Sequence, residues 1–355
     1  MFEKLTEVLE DFIDQGVPGC DCVVYHKGVC VYRKFLGYSD KENKIEMNGK
    51  EIYNLYSCSK VITCTAALML YERGMYKLED KLSDYLPEFE TMYIQTDDGL
   101  KKAQKSITIK DLFCMTAGLT YNLYSPMLRQ CKKDTNGKCP TREVMKYLAK
   151  EPLSFEPGDN WQYSLCHDVL AALVEVVSGM KFGEFVKKNI FEPMGMENST
   201  YLLDDSDIEK VSMQYHSGKY VPYGKGIEYK LGTEYESGGA GCISTVDDYI
   251  KFLEGLRTGK LIGFDTIKLM STNHVTRDKL GLYWVNNYGY GLGVRCRYED
   301  ESITDFGWNG AAGAHAIVDM ENEYTLYYAQ NVLACPVEKV GDSLMLAARE
   351  QVKQL

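Results

Sequence analysis

Residues 52–72 have the sequence IYNLYSCSKVITCTAALMLYE, and the character of the side chains changes once along it. Residues 52–56 are rich in apolar and aromatic side chains, which favours a short β-strand. Residues 61–72 are good helix formers with apolar side chains at helical spacing, and Gly74 follows as a stop signal. The sequence therefore predicts that a strand ends directly at Ser57 and that a helix begins soon after it.

Ser57 and Lys60 lie three residues apart at this switch, in the tetrad Ser57-Cys58-Ser59-Lys60. On the first turn of a helix, that spacing puts both side chains on one face. A serine hydroxyl is a weak nucleophile that needs a neighbouring base, and a lysine amine can be that base when burial lowers its pKa. The helix N-terminus adds N–H groups that stabilise developing negative charge. The tetrad therefore predicts a nucleophilic serine.

The spacing alone leaves another role open for Ser57, because serine is also a common N-cap of a helix. The chain contains a second tetrad of the same spacing, Ser178-Gly179-Met180-Lys181. No predicted strand leads into this second tetrad, which lies where one helix ends at a glycine and another begins. The surrounding sequence, rather than the tetrad itself, has to select Ser57.

Five blocks of sequence resemble, in the same order, the serine β-lactamase-like superfamily, and especially class C β-lactamases and family VIII carboxylesterases. The likeness as a whole covers roughly residues 20–332. The blocks are residues 55–89, 107–119, 155–164, 178–196 and 238–248. By this resemblance the chain is identified as a member of the superfamily that also contains the penicillin-binding proteins.

The resemblance implies a catalytic centre of three side chains and two backbone groups. It makes Ser57 the acyl-accepting nucleophile, Lys60 its hydrogen-bonded base partner and Tyr163 a tyrosinate-like base or proton shuttle. Because a neighbouring ammonium group favours the phenolate, we expect the pKa of Tyr163 to fall toward the working range. The backbone N–H groups of Ser57 and Ala311 are expected to form the oxyanion hole, where losing one donor typically costs about 3 kcal/mol of transition-state stabilisation.

Two departures from the lactamase pattern concern substrate recognition. Trp308-Asn309-Gly310 stands where β-lactamases have K-T-G or H-T-G, as in many family VIII esterases, and its glycine lets substrate approach the strand backbone. Leu165 replaces the asparagine of a Y-x-N motif and cannot hydrogen-bond to a substrate amide. Both changes favour esters over β-lactams. The substrate-binding residues expected from this alignment are Trp161, Leu165, Trp308, Asn309 and Gly310.

The order of predicted elements indicates how the chain is organised. Strands are predicted at residues 20–25, 29–36, 290–295, 314–320 and 324–330. Helices are predicted at residues 109–115, 142–150, 165–177, 182–191 and 337–352. We therefore expect an α/β fold in which an antiparallel sheet built from both termini is flanked by helices and carries an inserted, mainly helical lobe. Residues 1–78 and 204–355 would form the sheet domain and residues 79–203 the lobe, with the active site in the cleft between them.

Composition and charge exclude several kinds of partner. The formal net charge is −11 and the pI is about 5.1, whereas nucleic-acid binding needs clustered Lys and Arg. No stretch approaches the roughly 20 apolar residues of a membrane span. Residues 2–13 predict an amphipathic helix rather than a signal peptide, so we expect a cytoplasmic protein that binds neither membranes nor nucleic acid. Twelve cysteines without a CxxC pair indicate reduced thiols, and no metal or other cofactor is implied.

These observations favour a serine hydrolase that forms an acyl-enzyme at Ser57, with a carboxylesterase acting on small esters as the leading hypothesis. A β-lactamase, a D-aminopeptidase or D,D-peptidase and an acyltransferase share the nucleophile and stay open. A catalytically silent binding homologue is a further alternative, which the intact Ser57, Lys60 and Tyr163 disfavour. His167 either reaches the site or is a helix residue that is exposed or has its hydrogen bonds satisfied within the protein. The expected partner is a small ester or amide, bound between loops 121–139 and 217–236, and the oligomeric state stays open.

Overall fold

The computed structural model describes residues 2–203, 205–216, 221–227, 229–280, 287–299 and 302–355. These residues form an α/β fold around one large sheet. The strands in the described part of the chain are β1 Gly19–His26, β2 Val29–Asp40, β3 Ile45–Glu46, β4 Ile52–Asn54, β5 Tyr93–Thr96, β6 Gly99–Lys102, β7 Gln214–His216, β8 Val221–Gly224, β9 Ile243–Thr245, β10 Tyr288–Tyr290, β11 Arg295–Glu299, β12 Ser302–Asn309, β13 His315–Asp319, β14 Tyr324–Gln330 and β15 Val332–Leu333.

Helices cover both faces of this sheet and most of the middle of the chain. They are α1 Glu3–Asp14, α2 Ser59–Glu72, α3 Ile109–Cys114, α4 Pro126–Asp134, α5 Thr141–Leu148, α6 Cys166–Ser178, α7 Phe182–Val186, α8 Glu192–Met194, α9 Val246–Arg257, α10 Phe264–Ser271, α11 Arg277–Leu280 and α12 Val340–Val352. Short 3₁₀ segments cover Tyr56–Cys58, Leu82–Asp84, Pro87–Phe89 and Asp205–Lys210. A π-helical turn at Lys187–Phe191 joins α7 to α8.

The main sheet brings the two ends of the chain together. Among the described residues it contains eight antiparallel strands in the order β10-β11-β12-β13-β14-β1-β2-β3. Strand β1 pairs with β2 on one side and with β14 on the other, so that Cys20 lies opposite Gln330 and His26 lies opposite Tyr324. This order confirms the expected fold class, an antiparallel sheet built from both termini and flanked by helices.

Each face of the central strands packs against a different layer of helices, because successive side chains of a strand point to opposite sides of the sheet. On β14, Leu326 and Tyr328 pack in a cluster with residues of α1 and α12. The alternate residues Tyr327 and Ala329 belong to the larger core on the other side, where α9 packs against β14 and β1. The sheet is therefore the middle layer between two helical layers.

Helix α1 is the amphipathic helix expected at the N-terminus. Its residues Leu5, Leu9 and Phe12 recur at intervals of three and four positions, and all three are buried. Burying a side chain of this size contributes about 1.5–3 kcal/mol relative to exposing it. Within the described part of the chain, no helix combines the length and the apolar character needed to cross a bilayer. The expected cytoplasmic location stays a prediction.

The helical middle of the chain shares its core with the sheet. Helix α2 packs against α6, and one hydrophobic cluster extends from Val23 on β1 to Phe185 on α7. The expected boundaries, at residues 78–79 and 203–204, separate segments that contribute to this common core. The division into a sheet domain and a lobe therefore stays a prediction, and residue 204 lies outside the described residues.

Two expected elements differ from those observed. The strand expected at residues 290–295 is instead the connection from β10 to β11, where the Gly291 N–H donates to the Val294 carbonyl at 2.8 Å. Gly293 adopts a φ of 82° in this turn, which glycine does without a steric penalty. The helix expected at residues 182–191 is α7 followed by a π-helical turn. The twelve cysteines all fall within the described residues and are free thiols, as expected.

A buried cluster of charges joins α12 to the sheet. Arg349 on α12 donates to Asp319 on β13 at 3.1 Å, to Asp305 on β12 at 2.9 Å and to Glu299 on β11 at 2.8 Å. Arg295 on β11 donates to the same Asp305 at 2.5 Å. Both arginines and both aspartates are buried. Each charge therefore depends on its partners for the stabilisation that water would otherwise provide.

We expect Arg349→Ala to lower the free energy of unfolding by about 3–5 kcal/mol, because Asp305 and Asp319 lose a buried counter-charge. Lys4→Ala is the control, since it removes only an exposed ion pair with Glu350 on the same α12 and should cost about 1 kcal/mol or less. Urea denaturation followed by circular dichroism measures both. A loss in Arg349→Ala no larger than that in Lys4→Ala would contradict the proposed role of the cluster.

Candidate active site

The chain turns sharply between β4 and α2, and this turn carries Ser57. Strand β4 ends at Asn54 instead of running to Ser57 as expected, because Tyr56 has a φ of 47° and begins a 3₁₀ turn. A non-glycine residue in the left-handed region costs about 1–3 kcal/mol and persists only where its surroundings hold it. Tyr56 is fully buried, and its hydroxyl donates to the side chain of Gln214. The turn presents Ser57 to a cavity.

Ser57 Oγ receives hydrogen bonds from side chains of two different segments. The Tyr163 hydroxyl donates to it at 2.5 Å, and Lys60 Nζ donates to it at 3.2 Å from one turn along α2. Lys60 Nζ also donates to the Gly239 carbonyl at 2.6 Å. The structure thus brings together the three side chains that the sequence analysis selected, and it adds a carbonyl that fixes the position of the amine.

Burial of Lys60 lowers its pKa to about 8, because the ammonium form loses its solvation by water. The negative charge of Asp168 offsets part of this shift. A lysine with a pKa of about 8 is partly neutral near neutral pH and can accept a proton from a serine. When Lys60 is neutral, the 3.2 Å contact reverses, and the Ser57 hydroxyl donates to the amine.

Tyr163 is held between two aromatic rings and above the Lys60 amine. Its ring stacks on Trp308 with 5.8 Å and on Tyr121 with 5.4 Å between centroids, and Lys60 Nζ lies 4.6 Å from its centroid. Trp308 Nε1 donates to the Tyr163 hydroxyl at 3.4 Å. Burial raises the pKa of Tyr163, and its hydrogen bonds with Ser57 and Trp308 offset this only in part. The expected fall in this pKa is therefore wrong, and Tyr163 is a protonated hydroxyl donor.

A cavity of about 560 Å³ opens at Ser57, within the usual size range of small-molecule sites. Tyr121 and Tyr229 line it from the two loops expected to form its walls, although residues 217–220 and 228 of the second loop lie outside the described residues. Arg295 also lines it and was not anticipated from the sequence. The described lining residues are Ser57, Tyr121, Tyr163, Tyr229, Arg295, Trp308, Asn309, Gly310 and Ala311.

The end of β12 and the turn after it form one edge of this cavity. The Gly310 N–H donates to the Ala314 carbonyl at 2.8 Å, which fixes the turn. A Cβ at Gly310 would lie 2.6 Å from the Leu55 carbonyl oxygen, so a larger residue would displace the edge from the nucleophile turn. Ala311 follows and lines the cavity together with Ser57. The oxyanion hole expected from their two N–H groups stays a prediction.

Comparison with protein families establishes the relationship of this chain to known proteins. The family model for Beta-lactamase matches residues 3–348. The protein belongs to the Beta-lactamase family. The superfamily expected from the five sequence blocks is confirmed.

Proteins similar to this Beta-lactamase family member include an esterase in sequence and a penicillin binding protein in fold. Esterase EstB of Burkholderia gladioli is 29% identical over 277 residues, which cover 69% of this chain and 67% of EstB. The structure of EstCE1, a hydrolase with promiscuous acyltransferase activity, has a TM-score of 0.81 at 25% identity and covers 99% of this chain and 97% of EstCE1. A penicillin binding protein from Bacillus halodurans shares the fold, with a TM-score of 0.75, 20% identity and coverage of 98% and 99%. The protein is an enzyme of this superfamily of serine hydrolases and acyltransferases.

Two residues expected to contact substrate in this family member belong to the wall behind the cavity. Trp161 is 8% exposed and packs beside Tyr163 and Tyr290. Leu165 is 2% exposed and belongs to the core at the start of α6. Neither is among the described lining residues. The expectation is corrected for both, because the core buries these apolar side chains outside the described lining of the cavity.

A buried aspartate on α6 is a component that the sequence analysis missed. Asp168 accepts hydrogen bonds from the Tyr235 hydroxyl and from Ser237 Oγ, both at 2.6 Å. Its negative charge offsets part of the fall in the pKa of Lys60. The sequence contains one signal for it, an acidic residue in the first turn of a helix whose other residues are mostly apolar. That signal does not reveal that the carboxylate acts on the buried amine of Lys60.

His167 is a core residue of α6. Its Nε2 atom lies 3.3 Å from the Phe113 carbonyl oxygen and 3.6 Å from Cys64 Sγ. Burial and the charge of Lys60 lower the pKa of His167 to about 3, so its imidazole is neutral. In the part of the chain that the structure describes, no group of three or more His, Cys, Asp or Glu side chains could hold a metal ion. The expectation that no cofactor is needed stays a prediction.

We expect the rate of Ser57 acylation to rise with pH between about 6 and 9, with a midpoint near pH 8, because only neutral Lys60 accepts the Ser57 proton. Asp168→Asn should move the midpoint to lower pH, since losing the negative charge lowers the pKa of Lys60 further. Tyr235→Phe removes a hydrogen bond to Asp168 but keeps the charge, so its midpoint should match the wild type. The measurement is the rate of fluorophosphonate labelling, followed by intact mass. An unshifted midpoint in Asp168→Asn would rule out this electrostatic control.

Proposed function

We propose that this protein is a carboxylesterase that acts on small esters through an acyl-enzyme at Ser57. The observation that carries the proposal is the pair of contacts that Ser57 Oγ makes, with Lys60 Nζ at 3.2 Å and with the Tyr163 hydroxyl at 2.5 Å. Nucleophilic catalysis by serine needs a base and a proton donor at such distances. The similarity to Esterase EstB supports the ester class, and the similarity to the hydrolase EstCE1 supports a hydrolytic reaction.

In the first half-reaction, neutral Lys60 takes the hydroxyl proton of Ser57 as Oγ bonds to the carbonyl carbon of the ester. The charge that develops on the carbonyl oxygen is stabilised by the N–H groups of Ser57 and Ala311. The bond from the carbonyl carbon to the alkoxy oxygen then breaks. The alcohol leaves with a proton from the Lys60 ammonium, relayed by the Tyr163 hydroxyl, and Ser57 carries the acyl group.

In the second half-reaction, water repeats these steps in the same cavity. It gives a proton to Lys60 as its oxygen bonds to the acyl carbon, and the same two N–H groups stabilise the oxyanion. The bond to Ser57 Oγ breaks, and Oγ takes its proton back through Tyr163. One ester and one water therefore give one acid and one alcohol, and the enzyme returns to its starting state.

Two features of the site favour an ester over a β-lactam as the acyl donor. In the sequence alignment, Trp308 occupies the position of the K-T-G lysine. Its indole N–H donates to the Tyr163 hydroxyl at 3.4 Å. The position of the lactamase asparagine is taken by Leu165, which is buried. The site therefore lacks, at these two positions, the charge and the amide that β-lactamases use to hold their substrate.

Acyl transfer to a small alcohol or amine is the second candidate function. A neighbouring cavity of about 450 Å³ shares Asn309, Gly310 and Ala311 with the catalytic cavity and provides space for an acceptor. An acceptor bound there would attack the same acyl-enzyme in place of water. The promiscuous acyltransferase activity of EstCE1 supports this alternative.

We expect Ser57→Ala to lower the hydrolysis of p-nitrophenyl acetate by about a thousandfold or more, because no acyl-enzyme can form. Ser178→Ala is the matched control, since it removes the serine of the second S-x-x-K tetrad and should keep wild-type activity. The measurement is nitrophenolate release by both variants. Unchanged hydrolysis in Ser57→Ala would refute the assignment.

Intact-mass trapping on a panel of esters, β-lactams and D-amino amides then identifies the acyl donor. An adduct from esters alone supports the esterase, whereas an adduct from β-lactams or D-amino amides assigns the lactamase or peptidase alternative. Added alcohol that yields a new ester supports acyl transfer. If a fluorophosphonate adds no mass at Ser57, the catalytically silent binding homologue becomes the better description.

A further inference from the structure

A third, smaller space of about 130 Å³ lies beside the catalytic cavity, and Tyr229 lines both. We call this space the distal chamber. Aliphatic side chains from four segments form much of its wall: Leu203, Ile208, Val211, Ile227 and Ile243.

The polar side chains of the distal chamber are already bonded to protein groups. Asn54 Nδ2 donates to the Lys225 carbonyl at 3.0 Å. The Tyr235 hydroxyl and Ser237 Oγ both donate to Asp168 at 2.6 Å. A polar ligand in the chamber would give up its hydrogen bonds with water and find these groups engaged, which is unfavourable.

The two lysines of the distal chamber do not provide a buried positive charge for a ligand. Lys225 Nζ forms an ion pair with Glu209 at 3.0 Å and also donates to the Glu209 carbonyl at 2.6 Å. Lys230 is exposed to solvent at the rim. The chamber therefore suits an apolar group, whose transfer out of water is favourable in proportion to the area buried.

Tyr229, which lines both spaces, is close to the catalytic residues. The ring of Tyr229 lies edge-on to Tyr56, with 5.6 Å between centroids, and edge-on to Tyr121, with 5.8 Å. Tyr56 directly precedes Ser57, and Tyr121 stacks on Tyr163. Tyr229 is thus the residue that the described linings of the catalytic cavity and of the chamber have in common.

We propose that the distal chamber takes the apolar acyl chain of the substrate, which reaches it past Tyr229. The inference rests on the proposed acyl-enzyme at Ser57 and assigns esters of medium-length apolar acids as the substrate class. The acyl chain stays bound through both half-reactions, which suits a space with a largely aliphatic wall. Alcohol and water have to enter and leave, and the neighbouring cavity lined by His315, Gln330 and Asp342 is polar enough for them.

Gly226 offers a way to fill the distal chamber without straining the backbone. It lies outside the left-handed region, and among described atoms a Cβ there would meet only Ile208 Cδ1, at 3.7 Å. Gly226→Leu should therefore fold and occupy space needed by the acyl chain. Tyr223→Leu is the control, because Tyr223 is exposed on β8 and lies outside the described lining of the chamber. Ile208→Trp fills the chamber from the opposite side if Gly226→Leu is unstable.

The experiment compares kcat/KM for p-nitrophenyl hexanoate with that for p-nitrophenyl acetate. Since each buried CH₂ is worth about fourfold, we expect the wild type to favour hexanoate by about tenfold or more. Gly226→Leu should reduce this preference by about tenfold, and Tyr223→Leu should leave it as in the wild type. A wild-type preference near one, or equal losses on both esters in Gly226→Leu, would overturn the assignment of the chamber.

Labelling with alkyl fluorophosphonates separates this outcome from a failure of the proposed function. Methyl and hexyl probes are compared for the rate at which they add mass at Ser57. The proposal requires faster labelling by the hexyl probe in the wild type and loss of that advantage in Gly226→Leu. Labelling at rates independent of chain length rejects the chamber while retaining the nucleophile, whereas no labelling by either probe rejects the acyl-enzyme itself.

Discussion

Lys60 keeps its amine fully buried beside Ser57, although a charged amine loses several kcal/mol of solvation at such a position. The protein replaces that solvation in three ways. The Gly239 carbonyl accepts a hydrogen bond, the face of the Tyr163 ring lies against the amine, and Asp168 contributes a nearby negative charge. The three groups come from separate parts of the chain, so α2, α6 and the segment before β9 must all be in place to set the basicity of one side chain.

Much of the fold could be predicted from the sequence, because hydrophobic periodicity reports which face of an element is buried. It identified α1 through Leu5, Leu9 and Phe12, and it identified β14 with its observed bounds. It failed at residues 290–295, where aromatic and apolar side chains alternate with glycines. There the conformational freedom of the glycines determines a turn, and periodicity does not report that freedom.

The candidate site was predicted less completely than the fold. Motif blocks selected Ser57, Lys60 and Tyr163, which the structure brings together. The direction of the Tyr163 pKa could not be foreseen, because it depends on burial by rings from distant segments. Leu165 was misassigned for a related reason, since closeness in sequence to a catalytic tyrosine does not determine which way a neighbouring side chain points.

The position of β1 between β2 and β14 has a consequence for when the active site can fold during synthesis of the chain. Trp308 and Ala311 border Ser57 from β12 and the turn after it, and β12 joins β1 through β13 and β14. A ribosome must therefore have released the chain up to Gln330 before this edge can dock beside the nucleophile. Such pairing between distant segments is slow. Until Gln330 has been made, the nascent chain thus carries Ser57 without the cavity that makes it reactive.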